Sequence, residues 1–256
     1  RVSNGHLNRG NSMAITADGK LLVSGHDGSY HNYRVSRYSL DGALEANFQF
    51  NPGDAVLDVR ARGIFTREDG DLIILGNRRQ DYGYRSVRAN FSGGIEYQGT
   101  LPDLGSNHYT EQTLALPDGK YLITGQVDSD AYIGRWNADG SPDSSFGSNG
   151  AVQIPVLNAS DVAFRPTLQP DGKILLTGWS HNGSNNDINL IRMTYDGVLD
   201  NSFDSDGVLS VPFSGSHDYG YAVMMQDDGK IVVAGRTGDE IALVRLYGDS
   251  DQSAAS

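Results

Sequence analysis

The chain has 256 residues, of which 38% are hydrophobic, and this is enough for a globular protein with a sizeable core. Its 32 glycines are too many for a predominantly helical protein. The net charge is −12, and each of the four lysines lies in a different copy of one repeated turn, so no lysine cluster is formed. This argues against nucleic acid and anionic membranes as partners, because both bind clustered cations. The absence of cysteine excludes disulfides and zinc–thiolate sites, and no apolar stretch is long enough for membrane insertion.

The first two predicted strands of each repeat flank an Asp-Gly turn, and this pattern occurs five times along the chain. Apolar segments such as "MAIT" and "AVMM" precede the turn, and runs such as "LLV" and "ILL" follow it. The dipeptide supplies the positive φ of a two-residue hairpin turn, and the apolar run predicts a strand buried on both faces. The turn aspartates are Asp18, Asp69, Asp118, Asp171 and Asp228, and a glycine follows each one seven residues later, at Gly25, Gly76, Gly125, Gly178 and Gly235.

The third and fourth predicted strands complete each repeat. The third strand carries an arginine in every copy, and in the first four copies a second turn glycine follows five residues later. A fourth strand such as "AVQIPV" comes next, so each repeat of about fifty residues predicts a four-stranded antiparallel meander. No segment shows the apolar period of an amphipathic helix. The arginines are Arg37, Arg88, Arg135, Arg192 and Arg245, and the glycines are Gly42, Gly93, Gly140 and Gly197.

Four-stranded repeats of this length are typical of propeller blades, whose neighbours cover both apolar faces of each sheet. We therefore predict an all-β fold, a five-bladed β-propeller of four-stranded antiparallel blades. The N-terminal "RVSNGHL" aligns with "VPFSGSH" at the end of a fourth strand, so the N-terminal strand is expected to close the ring. The predicted single domain spans residues 1–248, with blades at about 8–58, 59–106, 107–158, 159–215 and 216–248 plus 1–7, and residues 249–256 form a flexible tail or linker.

The pattern "PDGKILLTG…LIRMTYDGVLDNSF" (residues 170–203) resembles the delta-60 repeat of secreted or surface-attached bacterial proteins. The resemblance covers nearly the whole chain and is weakest at residues 67–100, where "SGG" replaces the second Asp-Gly. It implies a β-propeller-like repeat in an extracellular or cell-surface bacterial protein, often a multidomain one. It implies no shared catalytic motif.

The most variable part of the repeat indicates where a ligand would bind. The near-invariant Asp-Gly turns occupy one end of the strands, whereas the loops at the other end, between second and third strands and between successive repeats, carry polar and aromatic residues. Trp179 and Tyr219 are candidates for stacking on a sugar ring, and packing within the loops is the alternative. The predicted ligand-binding residues are His26, Asn77, Arg78, Gln126, Trp179, His181, Tyr219 and Arg236.

Two further groups of residues offer chemistry, each with a structural alternative. His108, Asp161, His217 and Asp218 are candidate acid–base groups or metal ligands, and surface or structural histidines are the alternative, because no HExxH motif or fixed ligand spacing accompanies them. Asp200, Asp204 and Asp206 precede a glycine as in a calcium loop, although the bidentate glutamate at the twelfth position is missing. A solvated acidic turn is the alternative, and Ca²⁺ is the one cofactor for which the sequence offers a candidate.

The repeated arginines are interpreted as structural, with Asp143 and Asp200 as partners, and a ring of ligand-binding arginines is the alternative. Our leading functional hypothesis is a non-enzymatic, monomeric extracellular module that binds a carbohydrate or another surface ligand, because no catalytic motif is present. A lyase or hydrolase that uses His108, Asp161, His217 and Asp218 in a central channel is the second hypothesis. A scaffold domain of a larger adhesin is the third.

Overall fold

A computed structural model describes residues 9–26, 33–50, 59–78, 84–90, 94–100, 108–156, 160–213 and 215–248. Every regular element in these ranges is a β-strand, which confirms the predicted all-β class. Within the described ranges there is no helix long and apolar enough to span a bilayer.

The strands form five sheets in which consecutive strands are neighbours, as expected for a repeated meander. Sheet 1 contains β1 (Arg9–Ile15), β2 (Leu21–His26), β3 (Tyr33–Tyr38) and β4 (Leu44–Phe50), and sheet 2 contains β5 (Val59–Thr66), β6 (Leu72–Arg78), β7 (Tyr84–Ala89) and β8 (Ile95–Thr100). Sheet 3 contains β9 (His108–Ala115), β10 (Tyr121–Val127), β11 (Asp130–Trp136) and β12 (Ala151–Ile154), and sheet 4 contains β13 (Asp161–Leu168), β14 (Ile174–His181), β15 (Asn186–Met193) and β16 (Val208–Val211). Sheet 5 contains β17 (Asp218–Met225), β18 (Ile231–Thr237) and β19 (Glu240–Leu246).

The described strands of each sheet come from one predicted repeat. Sheets 1 to 4 have four strands, and sheet 5 has three among the described residues. The predicted ring closure depends on residues 1–7 and the predicted tail is residues 249–256, and both segments lie outside the described residues.

The chain divides into two compact units. One contains Arg1–Tyr121 with Arg135–Asp143, and the other contains Leu122–Gly134 with Ser144–Ser256. In the first unit, sheets 1 and 2 share a core of Leu22, Val35, Ala61, Ile64, Leu72, Ile74, Val87 and Ala89. In the second unit, sheets 4 and 5 share a core of Leu175, Ile188, Leu190, Phe203, Val223, Ile231, Val233, Ala242 and Leu246. Each core forms because the second strand of the repeat is apolar on both faces.

The prediction of a two-residue Asp-Gly turn is wrong, because the structure has a three-residue loop at this position. The Thr16 N–H donates to the Lys20 carbonyl at 2.8 Å, and the Gly19 N–H donates to the Thr16 carbonyl at 2.9 Å. Gly19 has a φ of +76°, whereas no turn aspartate is among the described residues with positive φ. This is a type I turn followed by a left-handed glycine, the three-residue hairpin loop. The aspartate carboxylate accepts the N–H two residues later, as Asp118 does from Lys120 at 3.1 Å, and this favours the type I geometry.

The glycine that ends the second-strand motif faces a β-bulge in the first strand. In sheet 4 the register slips between Ala163 and Arg165, which leaves Phe164 as the extra residue, and Ala163 pairs with Gly178. A Cβ on Gly178 would lie 1.7 Å from the Val162 carbonyl oxygen. The glycine is therefore required by close backbone approach, and the bulge turns an extra side chain out of the regular alternation.

Candidate functional site

Five aromatic side chains in the second unit form a continuous group, which we call the aromatic surface: Phe164, Trp179, His217, Tyr219 and Tyr221. The Tyr219 and Tyr221 rings are parallel within 3° with centroids 6.2 Å apart, and the Trp179 ring meets Tyr219 edge-on at 5.9 Å. His217 stacks on Tyr219 at 6.4 Å, and Phe164 lies 5.6 Å from Tyr221. These separations are those of favourable aromatic pairs.

A guanidinium group completes the aromatic surface. The Arg236 guanidinium lies 4.7 Å from the centre of the Tyr219 ring, within the range of a cation–π contact. Arg236 and His217 are exposed, Tyr221 is 46% exposed, and Trp179 and Tyr219 are half-buried. Aromatic rings and hydrogen-bond donors are therefore both accessible to solvent at the aromatic surface.

The positions of these residues along their strands explain how the chain assembles this group. Phe164 and Tyr221 are the extra residues of the bulges in β13 and β17. Tyr219 and Arg236 are direct cross-strand partners in sheet 5. Tyr219 and Tyr221 are two residues apart in β17, and residues at this spacing in a strand lie on the same face of the sheet.

Hydrogen bonds hold the loop between β14 and β15 against the segment that precedes β17. The His217 Nδ1 accepts the Asn186 backbone N–H at 3.1 Å, so the neutral ring carries its proton on Nε2. His181 Nδ1 lies 2.9 Å from Asn186 Oδ1, and Asn185 Nδ2 donates to the Ser216 carbonyl. These contacts fix the His217 ring next to Tyr219 and leave its Nε2–H as a donor.

The candidate acid–base residues hold loops in the described structure. Asp161 and Asp218 are fully buried at equivalent positions in sheets 4 and 5. Each Oδ2 accepts a backbone N–H from five residues earlier, Asp161 from Val156 and Asp218 from Phe213, both at 3.0 Å. The side chain of His108 lies outside the described part of the chain. An acid–base or metal-binding role for these residues stays a prediction.

Some of the predicted ligand-binding residues meet at the aromatic surface. Trp179, Tyr219 and Arg236 belong to it, and His181 is connected to it through Asn186. Gln126 is half-buried and donates to Ser160 Oγ at 2.7 Å. The side chains of His26, Asn77 and Arg78 lie outside the described part of the chain. Phe164 and Tyr221 were not among the predicted residues. The signal for Tyr221 was its spacing of two residues from Tyr219, and the signal for Phe164 was the second-strand glycine opposite the bulge.

The third-strand arginines bind carboxylates, which agrees with their structural interpretation. Arg192 Nε donates to Asp200 Oδ2 at 2.8 Å, and Arg135 Nε donates to Asp143 Oδ2 at 2.6 Å. Both arginines are almost fully buried. The other three pairs are Arg37 with Asp18, Arg88 with Asp71, and Arg245 with Asp228.

The candidate calcium loop has its first carboxylate already engaged by cations. Asp200 Oδ2 accepts hydrogen bonds from Arg192 and Lys173, and Asp206 Oδ1 accepts the Val208 N–H at 2.9 Å. In the ranges that the structure describes, no three His, Asp or Glu side chains are grouped so that they could hold a metal ion. Asp200, Asp204 and Asp206 are therefore not such a group among the described residues, and calcium binding by them stays a prediction.

Asp200 is expected to make stability depend on acid pH. Burial disfavours its charged form, but hydrogen bonds from Ser202 and Lys173 and the charge of Arg192 outweigh burial and hold the pKa of Asp200 well below its usual value. A carboxylate of this kind stabilises the fold above the unfolded-state pKa, roughly 3.9, and this stabilisation is lost as the pH falls towards the folded-state pKa.

We therefore expect Asp200→Asn to be less stable than the wild type at neutral pH, with a difference that narrows below about pH 4. Urea unfolding at a series of pH values measures it. A difference that stays constant down to the acid limit would contradict the assignment.

Four segments of the chain match a family model described as a domain of unknown function (DUF5122) β-propeller. The matched residues are 16–48, 116–146, 169–203 and 226–250. Each segment contains the Asp-Gly turn and the second-strand glycine of one repeat. Four of the five repeats are therefore similar to a β-propeller family, which agrees with the predicted propeller-type repeat. No curated protein matches the chain.

Solved structures share the fold at low sequence identity. A protein from Lactobacillus plantarum has a TM-score of 0.61 at 12% identity, over 96% of this chain and 70% of that chain. Drosophila Semaphorin 1a, extracellular domains 1-2, has a TM-score of 0.54 at 12% identity, over 96% of this chain and 54% of that chain. Exo-β-1,3-galactanase from Phanerochaete chrysosporium with galactose has a TM-score of 0.51 at 12% identity, over 94% of this chain and 60% of that chain. These similarities show the fold alone.

Proposed function

We propose that the protein is a β-propeller module that binds a carbohydrate at the aromatic surface. The observation that carries the proposal is the stacked pair Tyr219 and Tyr221, which remains in contact with solvent while Trp179 and Arg236 border it. Rings of this kind bind the apolar C–H face of a sugar, and surrounding polar groups select its hydroxyls. The Arg236 guanidinium and the His217 Nε2–H are the donors at this surface.

The charge of the protein favours a neutral sugar over an anionic ligand. The net charge is −12, so the protein as a whole repels polyanions. Arg236 alone does not offset this charge, and its guanidinium already contacts the Tyr219 ring. A neutral hexose or a neutral oligosaccharide is therefore the ligand class that we propose.

The repeats support a cellular location for this activity. We propose that they are of the delta-60 type and that the module belongs to a secreted or surface-attached bacterial protein. The absence of cysteine from all 256 residues is compatible with that setting. One structurally similar protein, the Phanerochaete chrysosporium galactanase, was solved with galactose, and at 12% identity it supports the scaffold and not the sugar.

Tyr221→Ala and Arg236→Ala are each expected to weaken binding of an identified sugar by about tenfold, since an aromatic or cation–π contact contributes roughly 1 kcal/mol. Both side chains are substantially exposed, so their removal should leave the fold intact. A glycan array identifies the sugar, and isothermal titration of each variant measures the change.

Tyr247→Ala is the matched control, because Tyr247 is a comparably exposed tyrosine whose ring contacts Lys230 and lies outside the aromatic surface. Its affinity for the sugar should equal that of the wild type. The proposed surface is wrong if Trp179→Ala, Tyr221→Ala and Arg236→Ala all bind the sugar as tightly as the wild type does.

A further inference from the structure

An open cleft of about 710 Å³ lies between the Asp-Gly turns of sheets 2 and 3, and we call it the turn cleft. Its walls include Arg67, Glu68 and Asp69 on one side, and Pro117, Asp118 and Tyr121 on the other. All of these residues belong to the first compact unit. The volume is within the range of small-molecule sites, roughly 300–1,000 Å³, so the groups in the walls decide what the cleft can bind.

Asp118 differs from the other turn aspartates, because in the described part of the chain no basic side chain binds it. Its own repeat supplies Lys120 and Arg135, but both bind Asp143, at 2.8 and 2.6 Å. Each of the other four turn aspartates lies within 3.6 Å of a basic side chain, which is Arg37 for Asp18, Arg88 for Asp69, Lys173 for Asp171 and Arg245 for Asp228. The repeat therefore pairs this carboxylate with a cation in four copies, and the third copy leaves it without one.

The Tyr121 hydroxyl is a second group in the cleft without a partner. Tyr121 is the first residue of β10, where the other repeats have an aliphatic residue: Leu21, Leu72, Ile174 and Ile231. Its side chain is 5% exposed, and its ring centre lies 4.5 Å from that of Phe65. The hydroxyl interacts electrostatically with Arg67 and Asp69 in the facing wall, yet among the described residues it makes no hydrogen bond. An almost fully buried hydroxyl without a partner costs free energy, and a polar ligand in the cleft would recover it.

The unpaired charge of the turn cleft is negative. The Arg67 guanidinium in its wall is engaged, because Nη2 donates to Asp69 Oδ2 at 2.9 Å and Nη1 donates to the Ala138 carbonyl. Arg67 and Asp69 therefore neutralise each other. Glu68 is exposed and makes no ion pair with any described residue. Since Glu68 and Asp118 lie in different walls, the cleft presents two separate negative charges.

The corresponding cleft of the second unit lacks these features. It lies between the Asp-Gly turns of sheets 4 and 5, has a volume of about 490 Å³, and is lined by Leu168, Met224 and Met225 among others. Asp227 is the carboxylate in its wall, and Ile231 stands at the position of Tyr121. The polar groups of the turn cleft therefore do not follow from the repeated turn itself.

We propose that the turn cleft binds a small aliphatic diamine. One ammonium group takes the position at Asp118 that lysine or arginine has in the other repeats, and the second binds Glu68. The Tyr121 hydroxyl accepts a hydrogen bond from the first ammonium group, which has three N–H donors. An organic cation suits the cleft better than a bare metal ion, because the described carboxylates form no group of three. The site is independent of sugar binding and shares no residue with the aromatic surface.

Isothermal titration with 1,4-diaminobutane at low ionic strength tests the proposal, and 1,4-butanediol is the neutral analogue of the same length. The wild type should bind the diamine saturably and should not bind the diol. Asp118→Asn should weaken diamine binding about tenfold, and Tyr121→Phe about fivefold, because each removes a hydrogen-bond acceptor for an ammonium group. Both variants should fold, because asparagine still accepts the Lys120 N–H and phenylalanine keeps the ring contact with Phe65.

Asp171→Asn is the matched control, because it removes the same charge from the equivalent turn of the fourth repeat, where Lys173 already binds the aspartate. Its affinity for the diamine should equal that of the wild type. Tyr221→Ala, which alters the aromatic surface, should also bind the diamine as the wild type does.

The proposal is overturned if the wild type shows no saturable binding of the diamine, or if it binds the diol equally tightly. Equal losses in Asp118→Asn and Asp171→Asn would also overturn it, since they would show diffuse attraction to the net charge of −12. Unchanged affinity in both Asp118→Asn and Tyr121→Phe would place the diamine elsewhere on the protein.

Discussion

Gly178→Ala is expected to lower the free energy of unfolding by about 4 kcal/mol or to prevent folding. The added Cβ would lie 1.7 Å from the Val162 carbonyl oxygen and 2.8 Å from its carbonyl carbon. Both atoms belong to the backbone of the paired strand, so no side chain can rotate to make room. The β13–β14 pairing must separate, and with it the bulge that places Phe164.

Gly215→Ala is the matched control for this prediction. Gly215 has no other heavy atom within 4 Å of an added Cβ and no positive φ, so its replacement should change stability by less than about 0.5 kcal/mol. Urea unfolding followed by circular dichroism measures both variants. A Gly178→Ala protein as stable as the Gly215→Ala protein would show that the two strands do not approach as described.

Arg192→Met is expected to cost about 3 kcal/mol of unfolding free energy, because it leaves the Asp200 carboxylate in a largely buried site without its main cation. The Arg192 side chain is almost fully buried, donates also to Ser202 Oγ at 3.0 Å and lies 4.7 Å from the Phe203 ring centre. Lys173 remains 3.0 Å from Asp200 and limits the loss.

Arg245→Met tests the same repeat position in a solvated environment. The Arg245 side chain is more than half exposed and binds Asp228 at 2.7 Å. Exposed ion pairs contribute roughly 0–1 kcal/mol, so this variant should be nearly as stable as the wild type. Chemical unfolding of both variants under one buffer condition gives the comparison. Equal losses at the two positions would mean that burial of the Arg192 pair does not set its contribution.

Much of the fold follows from repeat chemistry that the sequence shows directly. Five Asp-Gly turns, each with a glycine seven residues later, predicted five sheets, and the sheets occur where the repeats are. The arginine partners Asp143 and Asp200 were also predictable, because they recur at a fixed distance after Arg135 and Arg192. Local spacing was sufficient in these cases, since the paired groups lie in adjacent strands or in the loop between them.

The turn type and part of the site required tertiary information. Asp-Gly is compatible with both two-residue and three-residue hairpin loops, and hydrogen bonding by the aspartate decides between them. Phe164 could not be distinguished from an ordinary strand residue, because a bulge changes side-chain direction without a mark in the local pattern. The structural role of Asp161 and Asp218, which accept backbone N–H groups, could not be predicted either. Carboxylates beside loops are equally suited to acid–base chemistry, so the sequence does not distinguish the two roles.

The indole N–H signals of a ¹⁵N-labelled sample test sugar binding at the aromatic surface most directly. The chain has two tryptophans, of which Trp136 is fully buried and Trp179 belongs to the aromatic surface. Trp179→Phe assigns the two signals. Titration with the neutral sugar identified on the array should shift the Trp179 signal and leave the Trp136 signal in place. Saturable binding with no movement of the Trp179 signal would contradict the proposed site.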